Sequence, residues 1–130
     1  MKRIVQIMFL SFGLLALGGV TSQGGKAASA RESAIVEFAD TVKLGGALLR
    51  GKYLIVHDEE RMARGEACTY VYRGEQIDET KLVTSFHCIH VEREVSPTTK
   101  ITTTHRSGPY ETPEVIEIQF AGGKEGHRVP

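Results

Sequence analysis

The side chains best suited to chemistry are five histidines and two cysteines, His57, His87, His90, His105, His127, Cys68 and Cys88, all within residues 31–130. Neutral imidazole is the commonest protein ligand for transition metals, and thiolate selects the softer ones. The sharpest group is His87-Cys88-Ile89-His90, with His57 closing an apolar run and Met62 just beyond it. A copper or zinc ion held by His57, His87 and His90 is the metal site this inventory offers. Spacing works against it. Side chains alternate along a strand, so His87 and His90 point to opposite faces and only Cys88 is cofacial with His90. The patterns C-x-x-C, H-E-x-x-H and C-x-x-C-H are absent, which removes the usual zinc and covalent haem signatures.

Catalytic patterns are weaker still. Ser85 and His87 are cofacial neighbours and Asp58 follows His57, giving a nucleophile, a base and an orienting acid. No G-x-S-x-G elbow raises a serine onto a sharp turn, and Glu59-Glu60 and Glu92-Arg93-Glu94 read as solvated charges. No catalytic residue is assigned.

The compartment decides how the cysteines are read. Met1-Lys2-Arg3, the apolar run Ile4 to Val20 and the small-residue ending Ala28-Ser29-Ala30 form the three parts of a secretory signal peptide. Cleavage after Ala30 is expected, giving an exported, periplasmic or extracellular domain over 31–130 with no membrane segment after cleavage. Lys2, Arg3 and Lys26 are the only charges in the leader, so residues 31–130 carry 13 basic and 16 acidic side chains, a net of −3. That mild acidity, with no basic cluster interleaved with aromatics, argues against nucleic acid as a partner.

Outside the cytoplasm, two thiols within reach of each other oxidise, and a Cys68–Cys88 disulfide is expected. Cys68 to Tyr72 and Lys81 to Cys88 are rich in β-branched and aromatic residues, with the polar turn Arg73 to Thr80 between them. A hairpin with Cys68 opposite Cys88 sets Tyr70 against Phe86 and Tyr72 against Thr84. Such a bridge contributes on the order of 3 kcal/mol by restricting the unfolded chain.

The elements that must carry these residues also read as strands. Ala34 to Leu44, Leu48 to Val56, Lys100 to Thr104 and Val115 to Phe120 have strand composition, and Gly45-Gly46, Ser96-Pro97 and Arg106 to Pro109 are turn signals. Asp58 to Ala63 fits one helical turn capped by Asp58, and Arg31 to Ala39 is a second, weaker helical candidate. Gly122-Gly123 and Gly126 read as a loop before the C-terminus. The expected fold is all-β, a small antiparallel β-sandwich or open barrel of five to seven strands after an N-terminal signal helix.

The stretch Val42 to Val56, with Val42, Leu44, Gly45, Leu49, Gly51 and Tyr53 at its pattern positions, is similar to a hairpin in a group of uncharacterised exported bacterial all-β proteins. Their pattern runs V-x-[VL]-G-x-x-x-L, then usually Pro-Ala-Gly, then x-Tyr-x-[VI]. Ile118 to Gly123, Gly126-His127 and Val129-Pro130 resemble the same group's ending. The resemblance implies export and a β fold and carries no activity. The chain departs from it at Arg50, where the Pro-Ala spacing is missing, and in having Cys68, Cys88 and several histidines. Sequence alone therefore favours an exported non-catalytic domain that acts by binding or structural association with an unidentified protein or surface ligand, without a cofactor. The alternative is a copper- or zinc-binding protein using His57, His87 and His90.

Overall fold

The structure is a computed structural model that describes residues 31–104 and 108–130; the expected signal segment, residues 1–30, and His105 lie outside the described residues. Among the described residues, eight strands and one short α-helix follow in order: β1 (Arg31–Leu44), β2 (Ala47–Asp58), α1 (Glu59–Ala63), β3 (Thr69–Arg73), β4 (Leu82–Phe86), β5 (Ile89–Glu92), β6 (Lys100–Thr103), β7 (Val115–Gln119) and β8 (Glu125–Arg128), with a single 3-10 turn, Glu79–Lys81, between β3 and β4. They form two four-stranded sheets, β1-β2-β3-β4 and β5-β8-β7-β6, with antiparallel ladders. The arrangement is sandwich-like and not a closed barrel.

Alternation along β1 and β2 explains the first sheet. Glu32, Ala34, Val36 and Phe38 of β1 stand opposite His57, Ile55, Tyr53 and Gly51 of β2, and this shared face looks inward. A period of two suits a strand and not a helix, so β1 runs from Arg31 and the helical candidate over Arg31 to Ala39 is not formed. The turn into β2 is at Gly45 and Gly46, with φ of 55° and 85°, the left-handed values a two-residue hairpin turn requires.

The core lies between the sheets. Leu44, Leu49, Tyr53, Ile55, Val71, Phe86, Val115, Ile118 and Phe120 pack there. The opposite face of β2 and β3 is covered too, by a second cluster of Leu54, Val56, Tyr70 and Tyr72, with Arg61 of α1 lying 4.3 Å over the Tyr70 ring. β2 is thus buried on both faces at its end, which is why Leu54 to Asp58 are all buried. Asp58 caps α1 as expected, accepting from the Arg61 N–H at 3.1 Å.

Cys68 and Cys88 are joined, with Cα atoms 6.2 Å apart, but not through the expected register. The ladder pairs Thr69 with Phe86, Tyr70 with Ser85 and Val71 with Thr84, then shifts at a bulge to pair Tyr72 with Leu82. A slip of one residue exchanges the two faces of a strand. The observed register buries Val71 and Phe86 between the sheets and leaves Tyr70 and Tyr72 for the outer cluster, whereas Tyr70 against Phe86 would put Phe86 on the outer side. Cys88 lies beyond β4, in the two-residue crossing His87-Cys88 that carries the chain to the second sheet. The disulfide therefore fastens the entrance of β3 to that crossing. One strand more is present among the described residues than the upper expectation of seven, and β8 occupies the stretch read as a loop.

A Cβ at Gly45 would approach Phe86 Cδ1 to 2.9 Å, while one at Gly46 meets nothing within 4 Å. Both glycines have positive φ, so Gly45→Ala and Gly46→Ala are each expected to destabilise by about 1–3 kcal/mol. Gly45→Ala should cost the more because of the added collision, as measured by urea unfolding; equal losses would contradict the packing of this turn.

Candidate metal centre

Two rows of facing residues build the site. In the first sheet, ladder partners place Glu32, His57, Thr69 and Phe86 in one line across β1, β2, β3 and β4. In the second, His90, His127, Ile118 and Ile101 form a line across β5, β8, β7 and β6. The polar ends of the two rows meet at one end of the sandwich. There His57 lies against His127 with ring centroids 4.1 Å apart, and His90 stands edge-on to His127 at 4.9 Å. His57 and His127 are each 1% exposed, and the His90 side chain is 28% exposed.

The nitrogens are organised. His57 Nε2 and His90 Nε2 are 3.2 Å apart, and Cys88 Sγ is 3.7 Å from His127 Nδ1. One nitrogen from each ring and Cys88 Sγ lie within 4.8 Å of one another. Adjacent ligands on a tetrahedral zinc ion are about 3.3 Å apart for two nitrogens and about 3.6 Å for nitrogen and sulfur, from the bond lengths of such sites. The two observed separations are close to those edges.

Each ring's other nitrogen is backed by its own carboxylate. Glu59 Oε1 is 3.7 Å from His57 Nδ1, Glu125 Oε2 is 3.3 Å from His90 Nδ1, and Glu32 Oε2 is 3.7 Å from His127 Nε2. A carboxylate hydrogen-bonded behind a ligating imidazole fixes its tautomer and raises its basicity; here the Glu59 and Glu32 contacts are at ion-pair and not hydrogen-bond distance. Local structure positions all three. Glu32 is the ladder partner of His57, Glu125 opens β8, and Glu59 is the first residue of α1, whose start is set by Asp58 accepting from Arg61 N–H and from Arg31 at 2.9 Å.

Electrostatics favour the ligand form of His57 and His127. Burial, reinforced by His90, brings His57 down to about 4; burial with His57 and His90 brings His127 down to about 3. Both are neutral at pH 7. Burial raises the Glu32 carboxyl, helped by repulsion from Glu125 and Glu59. Two buried atoms here, Glu32 Oε2 and His127 Nε2, have no hydrogen-bond partner. Buried polar atoms are rarely left so, and a metal on the inward His127 Nδ1 would fix the ring proton on Nε2, where it faces Glu32 Oε2.

Beside the site is a cleft of about 630 Å³ lined by Arg31, Glu32, Ser33, Glu59 and the Phe120 to Glu125 segment, which includes Lys124; none of the three histidines lines it. Its rim therefore includes the same three carboxylates that back the histidines. The rim is tied down: Gln119 Nε2 donates to the Gly123 and Glu94 carbonyls at 3.1 and 2.6 Å, and Gly122 N–H donates to Ser96 O at 2.7 Å.

Of the residues expected to bind metal, His57 and His90 are brought together and His87 is not. His87 is exposed in the crossing between β4 and β5 and belongs to neither group of converging ligand atoms. Its place is taken by His127 of β8, which is absent from the metal set expected from the sequence. Comparison with protein-family models, curated proteins and solved structures gives no match.

With both rings neutral in the folded metal-free protein and an ordinary value of 6.5 in the unfolded chain, unfolding takes up as many as two protons between about pH 4 and 6.5. Stability is then fully present above pH 6.5 and falls as pH drops through that window. Urea titrations of the metal-free protein across it should show this, with His57→Phe reducing the slope; flat stability between pH 4.5 and 6.5 would contradict neutral buried rings.

Proposed function

We propose that the protein is an exported metal-binding domain that holds one zinc(II) or copper(II) ion through His57, His90 and His127. The observation that carries this reading is the convergence of three imidazoles from both sheets, each with a separate carboxylate behind its outer nitrogen. Zinc and copper(II) are the ions suited to an imidazole set of this kind, and calcium and magnesium, which want oxygen ligands, are not.

Three further facts support it. The His57 and His127 rings are neutral at pH 7, so binding requires little proton displacement from either. The rigid strands β2, β5 and β8 hold the donors, so little ordering remains to be done when the ion arrives. Glu32, Glu59 and Glu125 stand close to the three rings and offset the charge a cation would bring. Export rests on the sequence of residues 1–30, with which the Cys68–Cys88 disulfide is compatible.

Titration of the disulfide-bonded protein with zinc and, separately, copper(II) should give one tight equivalent. At about 100 times Kd such binding adds about 2.7 kcal/mol to folding stability. His57→Gln and His127→Gln should each weaken binding at least roughly tenfold, while His87→Ala leaves it unchanged. Failure of both ions to bind, or dependence on His87 with indifference to His127, would overturn the assignment.

A further inference from the structure

Cys88 belongs to two structures at once. Its Sγ is bonded to Cys68, and the same atom converges with His57, His90 and His127 on the candidate metal position, 3.7 Å from His127 Nδ1. A disulfide sulfur is a poor ligand, whereas a thiolate is among the strongest for zinc and copper. The bond to Cys68 and a bond to metal therefore exclude each other at this sulfur.

We infer that Cys88 is a fourth metal ligand held in reserve by the disulfide, so that reduction converts a three-imidazole site into a three-imidazole, one-thiolate site. This rests on the metal-binding reading above. The position of the sulfur in the disulfide-bonded protein already suits the second role, since its distance to His127 Nδ1 is close to the nitrogen–sulfur edge of a tetrahedral zinc site, about 3.6 Å. Bonding through Nδ1 also leaves His127 Nε2 directed at Glu32 Oε2, 3.7 Å away, as the carboxylate-backed nitrogen. His57 and His90, whose Nε2 atoms face each other, keep their outer Nδ1 atoms toward Glu59 and Glu125. With Cys88 included, every ligand has its donor inward and every ring has its carboxylate outside.

The chemistry needs a dithiol reductant. One of its thiolates attacks Cys88 Sγ, the more accessible sulfur, because Cys68 is 1% exposed and Cys88 is half-buried. The Cys68–Cys88 bond breaks and Cys68 leaves as a thiolate, which the Cys88 N–H can stabilise, since that group already donates to Cys68 Sγ at 2.8 Å. The second thiolate of the reductant then attacks its partner sulfur in the mixed disulfide and releases Cys88. The reductant ends as a disulfide, the protein has gained two electrons and two protons, and the Cys88 proton passes to solvent when the sulfur bonds the metal.

The preference should change with it. The oxidised site presents imidazole nitrogens, suited to zinc(II) or copper(II); the reduced site adds a soft donor that strengthens zinc and admits copper(I). Loss of an outer-shell partner alone costs 10–100-fold in metal affinity, so gain of a direct ligand should be worth at least roughly tenfold.

Cobalt(II) is a suitable probe, because a thiolate ligand gives a near-ultraviolet charge-transfer band that imidazole and carboxylate do not. The protein is titrated with cobalt(II) in its disulfide form and again after reduction by a water-soluble phosphine, with excess reductant removed under nitrogen. One equivalent without the band in the oxidised form, and the band with at least roughly tenfold tighter binding in the reduced form, is the expected result. Cys68→Ser should show the band without reductant, and reduced Cys88→Ser should bind without it. Cobalt binding of equal strength and no band in both redox forms would overturn the role of Cys88 while leaving the three-histidine site standing. A band that survives in Cys88→Ser would overturn it in favour of Cys68. No cobalt or zinc bound in either form would overturn the metal reading itself, and this inference with it.

Discussion

The contact between His57 of one sheet and His127 of the other is the constraint around which this end of the sandwich is arranged. Their rings lie 4.1 Å apart in a seam that is otherwise filled by Leu, Ile, Val and aromatic side chains. Two buried imidazoles are poor packing material beside such a core unless their nitrogens are satisfied, because an unpartnered buried polar atom costs roughly 1–3 kcal/mol. His57 Nε2 meets His90, and His127 Nδ1 meets Cys88, but His127 Nε2 and the facing Glu32 Oε2 meet nothing. A cation on the inward nitrogens would fix the His127 ring proton on Nε2, making it a donor toward Glu32 Oε2, and would give the surrounding carboxylates a charge to offset.

The rest of the fold is what brings these groups to one place. The second sheet contributes a pair of histidines only because β8 lies between β5 and β7, opposing His127 to both His90 and Ile118. The first contributes His57 at the end of a strand buried on both faces, where the outer cluster under α1 leaves the chain little freedom to slide. The disulfide fixes the crossing from β4 to β5, and so the start of the strand that carries His90. Folding stability and the ligand set are thus linked through the same few residues.

Much of this was legible in the sequence, for identifiable reasons. Strand composition, the Gly45-Gly46 turn and the Asp58 cap are local signals, and the structure has the elements they indicate. His57 and His90 were visible as candidates, and the linkage of Cys68 to Cys88 followed from the expected compartment. What was not legible was long-range. The β3–β4 register turns on whether Phe86 or its neighbour faces the second sheet, which a hairpin considered alone does not reveal. The strand β8, Glu125-Gly126-His127-Arg128, contains no β-branched or large apolar residue and has strand form only because β5 and β7 flank it. Without β8 there was no reason to prefer His127, and the adjacency of His87 to Cys88 drew attention to a residue that faces solvent. The glutamates at positions 32, 59 and 125 are far apart in sequence, and nothing local separates them from ordinary surface acids.

The central claim is that three imidazoles, and not an arbitrary set of surface donors, form the inner shell of a bound ion. X-ray absorption at the zinc edge of the disulfide-bonded protein loaded with one equivalent reads that shell directly. Three nitrogen ligands at about 2.0–2.1 Å, with the outer-shell scattering that imidazole rings produce, are expected. A shell of oxygens lacking ring scattering would contradict the site built from His57, His90 and His127.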